Sequence, residues 1–145
     1  MNESKINLKI NEILKEFNAI EKNITENASN NFEQNKSIYE KYFQILSDNN
    51  VDGLVLSNTF PVEDNILKVG QGGLSGKPLY QNTKHLISFA NQFFKNNLDI
   101  VASGGISTSD EVRELLREGA SGVQLWTSLI YEGPGLIKRI NKELL

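Results

Sequence analysis

Four short clusters in this sequence carry residue types able to hold a ligand. Ser57-Asn58-Thr59 follows the apolar run VDGLVL, and two of its side chains are hydroxyls and one an amide. GGLSGKPL, residues 72–79, is a glycine-rich loop whose backbone can press against a flat or anionic ligand without Cβ atoms in the way. Gly104-Gly105 permits the same close approach after DIVAS, and Trp126-Thr127-Ser128 brings two hydroxyls to the end of GVQL. Small or hydroxyl-bearing residues at two successive strand ends are how a β/α barrel builds a phosphate site. Backbone N–H groups and the start of a following helix hold the anion there.

Each cluster also has a plainer reading. Ser57-Asn58-Thr59 are turn-formers that can simply end a strand, and paired glycines can simply make a turn. The 72–79 loop lacks the Walker spacing, because Gly76-Lys77 is followed by Pro78 and no strand leads directly into it. It also lacks the spacing and βαβ setting of the dinucleotide fingerprint.

The elements that must position these clusters are legible from their patterning. Asp99–Ser103 reads as a strand buried on both faces. Thr108 to Glu111 fits a capping box, Leu115 and Leu116 form the inner face of the helix it opens, and Gly119 closes that helix. Gly122–Leu125 is the next strand, and Val51–Leu56 is an earlier one. Phe60 to Gly70 reads as an irregular loop, and Tyr80 to Asn96 as a helix with Leu86, Ile87, Ala90, Phe93 and Phe94 inward. Pro134 sits near the first turn of a last helix, whose apolar face is Leu136, Ile137, Ile140 and Leu144. From residue 38 the order alternates helix and strand, which predicts an α/β fold with right-handed parallel crossovers. The three strands should be adjacent in one curved sheet, with their carboxyl ends converging on one pocket.

Residues 1–37 differ from the rest, being rich in asparagine with no glycine or proline. Ile6, Ile10, Ile13, Phe17, Ile20 and Ile24 recur at helical steps, and Thr25 to Lys36 then reads as a flexible polar insertion. A helical pattern resumes over Ile38–Leu46 and breaks at Ser47-Asp48-Asn49-Asn50.

Composition bounds the chemistry. The 145 residues suit one domain and fall short of the ~250 of a whole eight-stranded barrel. A net charge of -3 offers no basic field for nucleic acid. The chain has no cysteine, which excludes disulfides, thiolate metal sites and a cysteine nucleophile. Its one histidine, His85, lies within a helical stretch with no second ligand nearby, so it reads as a surface residue and no metal site is expected. No apolar run has the length of a membrane span, and no signal or transit peptide opens the chain.

Taken together, LVLSNTF, GGLSGKPL, IVASGGIS and GASGVQLWTSL resemble the C-terminal half of the dihydroorotate dehydrogenase family, in the right order from about Ile38 to Leu145. GGLSGKPL is similar to the membrane-associated, quinone-linked class. The resemblance implies a partial TIM (β/α)8 barrel, with roughly the sixth to eighth strands and their helices in residues 38–145. It implies FMN as cofactor, oxidation of dihydroorotate to orotate in pyrimidine synthesis, and a quinone as electron acceptor. It further implies that Ser57 contacts FMN and that Asn58 and Thr59 bind substrate. An amide presents donor and acceptor together, as a pyrimidine edge requires. Gly76 would lie against the flavin, while Gly105, Trp126 and Thr127 hold its phosphate. The family usually has tyrosine at Trp126, a contact expected to be made by backbone.

The family's proton-abstracting serine belongs to the first half of the barrel, so no catalytic base is expected within this sequence. The chain reads as a fragment that is inactive alone and needs an N-terminal half-barrel. Lys9, in NLKIN, is the candidate for the family's FMN-contacting lysine. The membrane-associating helices of the family are not seen. Two other readings stay open: a non-catalytic flavin- or phosphate-binding half-barrel, or another phosphate-binding barrel enzyme. The pairing of Ser-Asn-Thr with GGLSG argues against the second.

Overall fold

A computed structural model describes residues 32–63, 68 and 70–145, and the chain divides into two units, Met1–Asn50 and Val51–Leu145. The helical period at residues 6–24, the polar stretch up to Asn31, and Lys9 lie outside the described residues. In the first unit, helix α1 spans Phe32–Asp48, so the last residues of the segment read as a flexible insertion are helical. Phe32 and Tyr39, one side of that helix seven residues apart, stack with ring centroids 5.9 Å apart.

The second unit alternates strand and helix. Its elements are β1 (Gly53–Leu56), β2 (Phe60–Glu63), β3 (Gln71–Leu74), a 3-10 turn (Lys77–Leu79), α2 (Tyr80–Phe94), β4 (Asp99–Ser103), α3 (Ser109–Arg117), β5 (Gly122–Gln124), α4 (Thr127–Glu132) and α5 (Gly135–Leu144). Strands β1, β4 and β5 form a parallel sheet in that order, with Leu56 beside Ala102 and Ala102 beside Val123. The three expected strands are therefore adjacent and point the same way.

Ile100 and Ala102 are buried, and with Leu79, Leu86, Ile87, Ala90, Val112 and Leu115 they belong to the apolar core. Within β4, Val101 is only half-buried, and its neighbour across the sheet, Val55, is 52% exposed. Asp99–Ser103 is thus buried on one face rather than the two expected. Helix α3 opens with the expected capping box, Thr108 and Glu111 bonding each other's backbone N–H groups. It closes at Gly119, whose φ is +110°. One inner residue differs: Leu115 is buried, whereas Leu116 is 42% exposed. At about 100° per residue, a helix already facing inward through Glu111, Val112 and Leu115 turns position 116 away. In α5, Leu136 and Ile140 are buried while Ile137 is exposed, for the same reason.

The largest departure lies between β1 and α2. Phe60–Glu63 is a strand, paired antiparallel with Gln71–Leu74, rather than part of an irregular loop. Pro61 and the Gly72-Gly73 pair obscured it, since both residue types weaken strand signals and are tolerated in an isolated two-stranded ribbon. Helix α2 stops at Phe94, two residues early, because Lys95 and Asn96 both adopt positive φ.

Candidate functional site

Beyond the carboxyl ends of β1, β4 and β5 lies a cavity of about 720 Å³, within the range of small-molecule sites. Three walls enclose it. Asn58 and Thr59 follow β1, Gly104 to Ser107 follow β4, and Trp126 to Ser128 follow β5. Ser75, Gly76 and Lys77 close the fourth side from the loop that leads into α2. Six of the seven sequence-predicted site residues therefore meet there: Asn58, Thr59, Gly76, Gly105, Trp126 and Thr127.

Ser57, the seventh, stands behind the wall. Its N–H and its hydroxyl both donate to the Ser103 carbonyl, at 2.7 and 3.0 Å, and its Oγ is 3.0 Å from Thr83 Oγ1. The bond ties the end of β1 to the end of β4, just where the glycine turn begins. Asn58 Oδ1 accepts the Thr59 N–H at 2.7 Å, so the amide's carbonyl is engaged by the chain itself and its NH₂ is the group left to present.

The glycines are demanded by shape. Gly104 and Gly105 have φ of +119° and +78°. A Cβ on Gly104 would lie 2.8 Å from Thr83 Oγ1. Gly76, at φ +80°, abuts Thr127, whose Cγ2 would be 3.1 Å from a Cβ there. The loop after β3 and the start of α4 thus touch across the cavity. Ser128 Oγ donates to the Ile106 carbonyl at 2.7 Å, which fixes α4 to the turn after β4.

The two helices that begin at this end differ in how their first N–H groups are met. Thr108 and Glu111 cap α3 internally. Helix α4 has no side-chain cap, and its first residues, Thr127 and Ser128, line the cavity. Unbonded N–H groups of a first turn, beside positive-φ glycines, suit a phosphate group. The donors present therefore fit the phosphate of FMN.

Behind this wall, two carboxylates of α3 grip the segment from Lys77 to Lys84. Glu111 receives Lys77 Nζ, and Glu114 receives both Tyr80 OH and Lys84 Nζ. Burial and then the Glu114 carboxylate push the Tyr80 phenol well above its ordinary range. Hydrogen bonds from Lys84 and Tyr80 hold the Glu114 carboxyl below its ordinary value, and the bond to Glu114 raises Lys84. Glu111 was legible as a capping residue, whereas its link to Lys77, 34 residues earlier, has no local sequence signal. Gln124 and Ser107, which lie within the quoted motifs but were given no role, also line the cavity, as do Tyr131 and Glu132, which lie in none. His85 is exposed on α2 and is not among the lining residues. Among the described residues no group of three or more acidic, histidine or cysteine side chains is placed to hold a metal ion. None of their helices is long and apolar enough to cross a membrane.

Fold and site together define an α/β protein with a cavity, suited to an anionic group, at the carboxyl ends of its parallel strands. The family model for dihydroorotate dehydrogenase matches residues 7–145, and the chain belongs to that family. It is 38% identical over 105 residues to a dihydroorotate dehydrogenase (quinone) of Christiangramia forsetii, covering 70% of this chain and 31% of that protein. To the dihydroorotate dehydrogenase (quinone) of Halobacterium salinarum it is 37% identical over 106 residues, covering 70% and 30%. Among solved structures, the Eimeria tenella DHODH in complex with ferulenol superposes with a TM-score of 0.67 at 32% identity, covering 75% of this chain and 30% of that one. The chain spans about 30% of the length of these relatives.

Proposed function

We propose that this chain supplies the FMN-phosphate end and part of the substrate pocket of a dihydroorotate dehydrogenase, as the last three strands of a (β/α)8 barrel. The observation that carries the reading is the meeting of Asn58, Gly76, Gly105 and Thr127 around one cavity, from four separate stretches of sequence. FMN, when bound, would accept the hydride removed from dihydroorotate, giving orotate. The chain's own residues bind and orient. Gly105, Trp126 and Thr127 hold the phosphate, Gly76 adjoins the flavin, Ser57 backs that wall by tying β1 to β4, and the Asn58 NH₂ and Thr59 hydroxyl meet the substrate. No residue of this sequence is assigned as the base. That serine belongs to the first part of the family's barrel, and the open sheet face bearing Val55 suits its cover. In this reading residues 38–145 are the half-barrel and residues 1–37 a separate asparagine-rich segment. Lys9, within the matched residues 7–145, is kept as the candidate lysine toward FMN. The relatives' names support a quinone as the acceptor in the complete enzyme, and membrane association would come with it.

The test compares FMN with riboflavin, which lacks the phosphate, by flavin fluorescence titration of the purified chain. FMN should bind at least tenfold more tightly, since hydrogen bonds to a charged group contribute about 1.5–3 kcal/mol each. Equal affinity would remove the phosphate grip. Dihydroorotate oxidation should be undetectable in the chain alone and appear when the rest of the barrel is supplied.

A further inference from the structure

Glu111 is the N3 residue of α3, and a capping box accounts for only half of its carboxylate. Its Oε2 accepts the Ser107 N–H at 2.8 Å, the Thr108 N–H at 3.0 Å and the Ser107 hydroxyl at 3.2 Å. Its Oε1 takes Lys77 Nζ. The Glu111 side chain is only 10% exposed, while that of Lys77 is 65% exposed. A lysine that much in water has little to gain from a surface ion pair. A buried carboxylate, by contrast, needs every donor it can gather. The pairing is therefore set by Glu111. Lys77 and Ser107 line the cavity from two different loops, one ending the glycine-rich 72–79 stretch and the other continuing the Gly104-Gly105 turn. Glu111 and Thr108 do not line it.

We propose that Glu111 is a positioning residue for the phosphate pocket: one carboxylate clamps together the two glycine loops that form two of its walls. It acts through Lys77 and the Ser107 backbone and does not touch the ligand. The Lys77 ammonium, 5.7 Å from the centre of the Tyr80 ring, is held on a second side as well. This inference rests on the reading of the cavity as the FMN phosphate site, and it assigns the separation of the walls to a residue behind them.

Substitution separates the two halves of the carboxylate. Glu111→Gln keeps one oxygen for Ser107 and Thr108 but turns an NH₂ toward Lys77, so the clamp is lost and the cap retained. Thr108→Ala loses cap and leaves the clamp. FMN titration of the full chain should show Glu111→Gln and Lys77→Met each weakened about tenfold. The double variant should be no weaker than either single one, and Lys77→Arg should restore most of the affinity. Thr108→Ala should lower the melting temperature with FMN affinity unchanged. Amide hydrogen exchange of residues 75–79, measured without flavin, should quicken in Glu111→Gln and not in Thr108→Ala. If Glu111→Gln binds FMN as tightly as the wild type, or more tightly because Lys77 is released to the phosphate, the clamp is refuted. Should the wild-type chain bind no FMN, the phosphate reading fails by itself. The exchange comparison still decides the clamp, since unchanged exchange at 75–79 overturns it.

Discussion

A Cβ added to Gly105 would lie 2.7 Å from the Tyr80 Cα and 2.9 Å from its Cβ. The turn after β4 is therefore packed on the first residue of α2, and its glycine is required there before any ligand arrives. Gly105 also sits at φ +78°. Gly105→Ala should cost about 1–3 kcal/mol in backbone strain and about 1–3 kcal/mol in overpacking. Together, at about 2–6 kcal/mol, these take a large share of the ~5–15 kcal/mol stability of an ordinary domain. Urea titration of the flavin-free chain should show a sharply lowered midpoint or no folded baseline. An unchanged midpoint would mean that Tyr80 gives way. Loss of flavin in such a variant would reflect unfolding and could not be read as a lost phosphate contact.

Gly76 presents a milder case that can be relieved. Its φ of +80° makes a side chain costly by about 1–3 kcal/mol. The obstacle to a Cβ is Thr127 Cγ2 at 3.1 Å, the end of one side chain rather than backbone. Thr127→Ser removes that methyl and keeps the hydroxyl. Gly76→Ala should therefore destabilise less in the Thr127→Ser background than in the wild type, by about 0.5–1.5 kcal/mol. Strict additivity of the two in chemical denaturation would show that the loops do not meet.

Where the sequence was readable, the reason was local. Asp99–Ser103 announced itself by a β-branched apolar run ending at a glycine pair, Gly122–Leu125 by a short apolar run opened by glycine, and the Thr108/Glu111 box by a spacing of three. The clustering of five of the six site residues followed from a general rule, that ligands in parallel α/β folds sit at strand carboxyl ends, while Gly76 came in through the family resemblance. What escaped was non-local or compensated. The β2–β3 ribbon is built from Pro61, Gly72 and Gly73, residues that locally argue against a strand. Gly105 was legible as a tight turn, but Tyr80 as the reason for it was not. Ser57 likewise reads as a ligand contact, while its hydroxyl reaches Ser103, 46 residues on. Nothing in a single chain of letters states which distant carbonyl a serine will meet.

Asn58 offers a test of the substrate side alone. Its Oδ1 already receives the Thr59 N–H, so on the proposed reading the NH₂ is the group offered to the substrate. Asn58→Asp keeps that turn but replaces the donor with a charge facing a carboxylate-bearing substrate. Orotate affinity should fall at least tenfold, as expected for about 1.5–3 kcal/mol lost in a hydrogen bond to a charged partner. FMN affinity should change less than twofold. Spectral titration of the flavin-loaded chain, joined by the remaining barrel, measures both. A parallel loss of FMN would place Asn58 on the cofactor instead.

The Glu114 cluster predicts stability that declines at both ends of the pH scale. Lys84 and Tyr80 hydrogen-bond Glu114 and hold its folded pKa below the ordinary 4.5. Its contribution is therefore complete above that value and is lost as pH falls through the folded pKa. Tyr80 titrates at 10.0 when unfolded and higher when folded, chiefly because burial opposes the phenolate. Lys84 moves the same way from 10.5, chiefly through its bond to Glu114. Both contributions are complete below those unfolded values and are lost as pH rises beyond them. Thermal midpoints should thus form a plateau between about pH 5 and pH 9.5 and fall on either side. Glu114→Gln removes the titrating carboxylate and the partner that raises Lys84. The difference in midpoint between wild type and Glu114→Gln should be largest on the plateau and shrink below pH 4.5. Tyr80→Phe should flatten the alkaline side and, by removing one of the two bonds that lower Glu114, soften the acid side as well. Parallel pH curves for wild type and Glu114→Gln would show that the grip of α3 on Tyr80 and Lys84 contributes nothing to the folded state.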